Sequence, residues 1–237
     1  MDKRFLRNVG VISALLVFPL LCAPSLLAQQ SQPDSTETKR TGWTGYPFLF
    51  YTPETKTGGG GAINYFFREA GSAPSARPST LVPVFVYTQK QQISSSLICD
   101  VYWEQEKNHL FSTVSYSDWP NQFYGIGNNT PDEEEDFTQR MVTLDLRYLR
   151  QLQRGLYAGF QYQFHKSKLT EVEAGGRLAR GNILGTETGT ASGVGILVNW
   201  DTRDNIFYAS SGSYYLLSAR VFHDRLISDF DFTNYQV

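Results

Sequence analysis

The sequence predicts an all-β chain folded as a transmembrane antiparallel up-and-down β-barrel. Three observations predict it: an apolar leader, a composition rich in aromatic residues and glycine, and long stretches that alternate with a period of two. In the leader, Lys3, Arg4 and Arg7 precede an uncharged run over residues 9–21, which gives the charged and apolar regions of a secretory signal. That run is shorter than the roughly 20 residues a membrane-crossing helix needs, so cleavage is expected instead. The expected site follows Ala28, making residues 1–28 a signal peptide. Cys22 raises a lipoprotein alternative, but bulky Leu21 stands where a small residue normally precedes the lipid-carrying cysteine. Residues 29–45 read as a periplasmic tether, because the Ser-, Thr- and Gln-rich part up to Arg40 cannot bury enough apolar surface to fold alone. The barrel domain is assigned to residues 46–237 and is expected in the cell outer membrane, in contact with its lipid.

Loss of Cys22 with the signal leaves Cys99 as the mature cysteine, so no intramolecular disulfide is expected. A formal net charge of −2 argues against a nucleic-acid partner. The 14 Tyr, 16 Phe, 4 Trp and 20 Gly fit aromatic girdles and glycine-dotted strands.

Alternation carries the most weight, since a strand sends successive side chains to opposite faces. Leu156, Ala158, Phe160, Tyr162 and Phe164 occupy one face, and Gly159, Gln161, Gln163 and His165 the other. Before them, Val142, Leu144, Leu146 and Tyr148 alternate with Thr143, Asp145 and Arg147, and Gln153-Arg154-Gly155 makes the tight turn between the two runs. Further on, Val194, Ile196, Val198 and Trp200 alternate with Gly195, Asn199 and Asp201, interrupted by Leu197. The polar residues Asp145, Arg147, Gln161, Gln163 and His165 are therefore expected to face the lumen. A helix would repeat its apolar positions every three or four residues, which these runs do not. A soluble β-sandwich also alternates, but uses shorter strands and hides its aromatic face.

About ten strands follow from this pattern, at residues 46–51, 58–68, 80–89, 92–105, 108–118, 137–151, 155–169, 191–202, 212–225 and 229–237. Strict up-and-down order puts the long connections 119–136 and 170–190 on one side, expected to be extracellular, with 70–79 periplasmic. Trp119, Phe123 and Tyr124 read as an interfacial aromatic belt or as a contact for an extracellular partner, and Cys99 as a small wall residue among Leu97, Val101 and Trp103.

Trp200-Asp201-Thr202-Arg203-Asp204-Asn205 followed by Gly212 resembles the Asp-Thr-Arg-Asp-Asn turn of BamA/TamA-like barrels, the bacterial surface antigen family. Tyr51-Thr52-Pro53-Glu54-Thr55, Arg77-Pro78-Ser79 and Phe123-Tyr124-Gly125-Ile126-Gly127-Asn128 are similar to stretches of its members that lack POTRA domains. The turn itself suits these residues: Asp201 and Asp204 can accept backbone hydrogen bonds, Arg203 can pair with either carboxylate, and Gly212 lets the backbone re-enter a strand. The resemblance implies a barrel of about sixteen strands, of which this chain is expected to be an incomplete part. It also implies a role in outer-membrane protein assembly, insertion or translocation, with client outer-membrane proteins or assembly machinery as partners and no cofactor. Departures are plain: only the short tether precedes the barrel, and Arg180-Gly181 is followed by Asn182 rather than an aromatic residue.

The alternatives are a passive pore or surface structural barrel, and an outer-membrane phospholipase. His165 and Ser167 share a strand face, as a base and a hydroxyl nucleophile would, but Lys168-Leu169 follows where phospholipase A has Asn-Gly. His109 and His223 lack a paired carboxylate motif for an omptin-like protease. The acidic run 132–136 lacks the spacing of a calcium loop, no Lys-Ser or Lys-Thr follows Gly58-Gly59-Gly60-Gly61, and zinc-ligand spacing is absent. No catalytic residue, metal site or enzyme activity is expected.

Overall fold

The computed structural model describes residues 39–237 apart from 54, 74–75, 128–133, 182, 184–185, 187 and 205–207. Ten strands follow in order: β1 (Thr41–Thr52), β2 (Lys56–Phe67), β3 (Ser79–Thr88), β4 (Ile93–Trp103), β5 (Asn108–Phe123), β6 (Glu135–Gln153), β7 (Leu156–Val172), β8 (Gly189–Asp201), β9 (Tyr214–Phe222) and β10 (Phe232–Gln236). They form one sheet in sequence order, each antiparallel to the next. Among the described residues β1 and β10 pair on one side only, so the sheet is open.

Several boundaries differ from the sequence reading. β1 begins at Thr41, so residues 41–45, assigned there to the tether, pair with residues 63–67 of β2. β5 continues through Trp119 to Phe123 and β6 begins at Glu135, which turns much of the expected loop 119–136 into paired strand. The strand expected over 212–225 stops at Phe222, and a short 3-10 turn, Asp224–Leu226, leads towards β10.

The end of the sheet that carries the two-residue β6–β7 turn, called the short-turn end after it, also carries the β2–β3, β4–β5 and β8–β9 connections, and the opposite end carries the rest, including β5–β6 and β7–β8. Arg154 and Gly155 suffice to reverse the chain between β6 and β7, with Gly155 at a φ of 80° that favours glycine. A register shift between Gln151 and Gln153 adjoins this turn, where an extra residue increases local twist.

The sheet coils about the face that carries Asp145, Gln163 and Gly193. As a result β1 and β7, far apart in strand order, border one cavity of about 1410 Å³ at the long-connection end, with Phe48, Val86, Trp119 and Met141 in its wall. The convex face exposes large apolar side chains that a soluble sheet would cover. Leu149, Leu197 and Phe222 are buried on the concave face, whereas Phe160 is 68% and Ile196 60% exposed on the convex face. Aromatic rings on the concave face lie over cross-strand glycines, Phe50 against Gly58 and Phe222 against Gly193, filling space that two side chains could not share.

Candidate functional site

Directly paired residues share a face, so the register brings Asp145 opposite Gln163 and Arg147 opposite Gln161 on the concave side, with His165 next along β7 opposite Thr143. Arg147 Nε donates to Asp145 Oδ1 at 3.1 Å, and Gln163 Nε2 donates to Asp145 Oδ2 at 3.4 Å. Gln163 Oε1 then accepts from Arg220 Nη1 at 2.8 Å, and Arg220 Nη2 donates to Asn234 Oδ1 at 3.2 Å. The result is a polar ribbon running from β6 to β10. Arg220 crosses the whole width of β8 to reach β7, and it can do so because Gly195 lies between, where an added Cβ would collide with Arg220 itself and with the Ala219 carbonyl. Gln161 belongs to the same face but donates to the Ile196 carbonyl at 3.3 Å, and Arg147 also lies over the Phe111 ring at 5.6 Å.

Nearer the short-turn end, His109 Nε2 meets Asp100 Oδ1 at 2.6 Å, and its ring stacks on Tyr102 with centroids 4.2 Å apart. This pair has the form of an oriented base, although the residues next to His109 in sequence offer no paired carboxylate motif. Cross-strand pairing of β4 with β5 supplies one that linear spacing conceals. Nucleophilic chemistry also needs a hydroxyl or thiol bonded to the imidazole. Among the described residues neither His109 nor His165 has one, and Ser167 makes no hydrogen bond to His165.

At the short-turn end itself, Asp201 closes β8 and is the acceptor of its turn. Arg203 donates to it three times, from its backbone N at 3.2 Å, from Nε at 2.9 Å and from Nη2 at 2.9 Å. The Asp201 carboxylate holds the Arg203 guanidinium above its ordinary range, and that guanidinium also lies 4.4 Å from the centre of the Tyr214 ring. Asp204 Oδ1 accepts from the amides of Ser210 and Ser211 at 2.9 and 3.2 Å, folding the connection back. Gly212, at a φ of 97°, approaches the Thr202 carbonyl too closely for any Cβ. Asn205, the remaining residue of this motif, lies outside the described residues.

A residue from another motif joins this turn. Arg77, just before β3, reaches Asp201 with Nη2 and Oδ2 4.0 Å apart, and its Nε lies 3.5 Å from Glu106 Oε2 in the β4–β5 turn. The same Glu106 accepts from the Arg77 amide at 2.9 Å, and the Arg77 guanidinium sits over the Tyr102 ring at 5.9 Å. Two segments remote in sequence are thus brought together across the concave face.

No family model, curated protein or solved structure matches this chain. The site therefore rests on its own geometry.

Two further groupings were not anticipated. His223, Asp224 and Asp231 offer potential ligand atoms within 4.8 Å of one another on the exposed β9–β10 connection. Glu135, only 4% exposed at the start of β6, accepts from the amides of Arg177 and Leu178 at 2.7 and 2.9 Å, stapling the β7–β8 connection to the top of the sheet. Trp119, expected in an interfacial aromatic belt, pairs with Gln139 on the concave side and lines the cavity there. Convex-face aromatics cluster elsewhere, at Trp43, Tyr65, Trp103, Tyr148, Trp200 and Tyr215.

Proposed function

We propose that this chain forms the wall of a membrane-spanning β-barrel in the outer membrane and acts there in protein assembly, insertion or translocation, without covalent chemistry or a cofactor. The observation that carries this reading is the exposed apolar band of the convex face. On β7 it runs from Leu156 to Phe164, roughly 27 Å of strand, which at the usual tilt approaches the height of a lipid-facing belt. Water would leave that surface unsatisfied, whereas lipid tails match it. A shallow groove of about 460 Å³ among Leu146, Phe160 and Ile196 has the size and apolarity to accept acyl chain.

Both margins of the band fit the reading. Trp43, Tyr65, Trp103, Trp200 and Tyr215 lie towards the short-turn end, where amphipathic rings favour the interface. Towards the other end the band stops at Arg140, paired with Asp118 at 2.8 Å, and at Lys166 and Lys168. The insertion role comes from the resemblance of the turn from Asp201 to Gly212 to that of BamA/TamA-like barrels.

The test is reconstitution of the mature chain into liposomes, followed by addition of a small outer-membrane barrel unfolded in urea. The expected result is resistance to carbonate extraction together with faster folding of the added barrel than in empty liposomes. Ion conductance without faster folding would favour a passive pore, which the polar ribbon also suits. A mature chain that stays dissolved without detergent as a compact monomer would end the membrane reading.

A further inference from the structure

We propose that Arg77, Glu106 and Asp201 form an ionic clasp that holds the short-turn end of the concave interior closed, and that releasing it opens that end to passage. This rests on the barrel reading above. The ladder of hydrogen bonds joins only neighbouring strands, yet Arg77 precedes β3 and Asp201 ends β8, so their contact bridges the hollow instead of following the wall. Such a bridge fixes how tightly this end is coiled.

The surroundings are built for it. Asp201 is a nearly buried carboxylate, its side chain 5% exposed, already bound by Arg203, and Arg77 supplies a second cation from the opposite wall. Glu106 is aimed at Arg77 by an unusual backbone, for Glu104, Gln105 and Glu106 all adopt left-handed φ values of 53°, 59° and 65°. That conformation is costly for residues with a Cβ, and persists where surrounding contacts over-determine it. Here Glu106 accepts the Arg77 amide, and the Gln105 amide donates to Glu69 Oε2 at 3.2 Å. Two turns at the same end are thereby tied together.

The β2–β3 connection is also longer than a hairpin requires, since Arg154 and Gly155 alone join β6 to β7. Within it Arg68 Nε donates to the Ala76 carbonyl at 3.2 Å. The Arg77 contacts are single and partly exposed, so they suit a catch that releases more than a permanent strut.

The experiment places nitroxide labels at Ala73→Cys and Ala209→Cys, on the two connections, with Cys22 and Cys99 replaced by alanine. Pulsed spin–spin distances are read in detergent and in liposomes. The unaltered clasp should give one narrow distance, R77Q a longer and broader one, and R77K an intermediate one, because a lone ammonium cannot meet Glu106 and Asp201 at once as Nε and Nη2 do. Salt at 1 M, which shortens electrostatic reach to about 3 Å, should mimic R77Q in the unsubstituted chain. That arm also decides the matter if R77Q does not fold. In planar bilayers R77Q should raise single-channel conductance at least twofold over the wild-type chain, with R77K between the two. Distances unmoved by R77Q and by salt would overturn the clasp, and distances that move without a conductance change would overturn its gating role. Failure of the wild-type chain to enter bilayers would count against the barrel reading alone, since the detergent distances still decide the clasp.

Discussion

Gln105 sits in a left-handed conformation between two glutamates that share it, and the contacts of Glu106 with Arg77 hold it there. Glycine adopts that conformation freely, so Gln105→Gly should stabilise the protein by about 1 kcal/mol, read as a higher midpoint in urea, although glycine usually weakens ordered segments. Gly195 illustrates the reverse. A methyl group there meets the Ala219 carbonyl and the Arg220 side chain, so Gly195→Ala should cost about 1–3 kcal/mol by equilibrium denaturation and displace Arg220 from Gln163. Gly61→Ala, whose nearest new neighbour is the Tyr46 carbonyl at 3.7 Å, should change stability by less than about 0.5 kcal/mol. Alternation alone assigned Gly195 to the polar face. It could not reveal that an arginine from β9 passes over it, because that depends on register between strands and not on any local pattern.

The strands with strong two-residue alternation, β6, β7 and β8, lie where the sequence puts them to within a few residues. β1 was shortened in the reading because Thr41-Gly42-Trp43-Thr44-Gly45 shows little apolar contrast, and its strand form comes from pairing with β2. The tops of β5 and β6 were missed for a related reason. Pro120 and the polar residues around it look like a loop in isolation, yet Pro120 is paired with Thr138 in a ladder that continues to Phe123 and Glu135. The Glu135 staple escaped entirely, as a carboxylate bound by two amides of a later connection leaves no signature in spacing. Glu135→Gln removes the charge from those bonds and from the Arg177 guanidinium 3.7 Å away. It should loosen the β7–β8 connection by about 1.5–3 kcal/mol, the usual worth of hydrogen bonds to a charged group. Limited trypsin digestion would show this as cleavage after Arg177 or Arg180 at least tenfold faster, with the strands intact.

Across the molecule, polarity is turned inside out, with a hydrogen-bonded ribbon on the concave face and exposed Phe160 and Ile196 on the convex one. Phe160→Arg tests what that surface meets. In a bilayer the substitution should cost about 2–4 kcal/mol near mid-depth and sharply reduce the inserted fraction in a liposome flotation assay. A sheet standing in water would instead tolerate it and become more soluble.

The height of the wall has its own consequence. β6 and β7 continue past Val142 and Phe164, the last apolar members of the band, to Glu135 and Val172, so roughly 25 Å of paired strand stands beyond it. This parapet is braced at its crest by the Arg177 and Leu178 amides on Glu135. Any binding partner of this crest would meet a pre-ordered ladder and lose little entropy in fixing it.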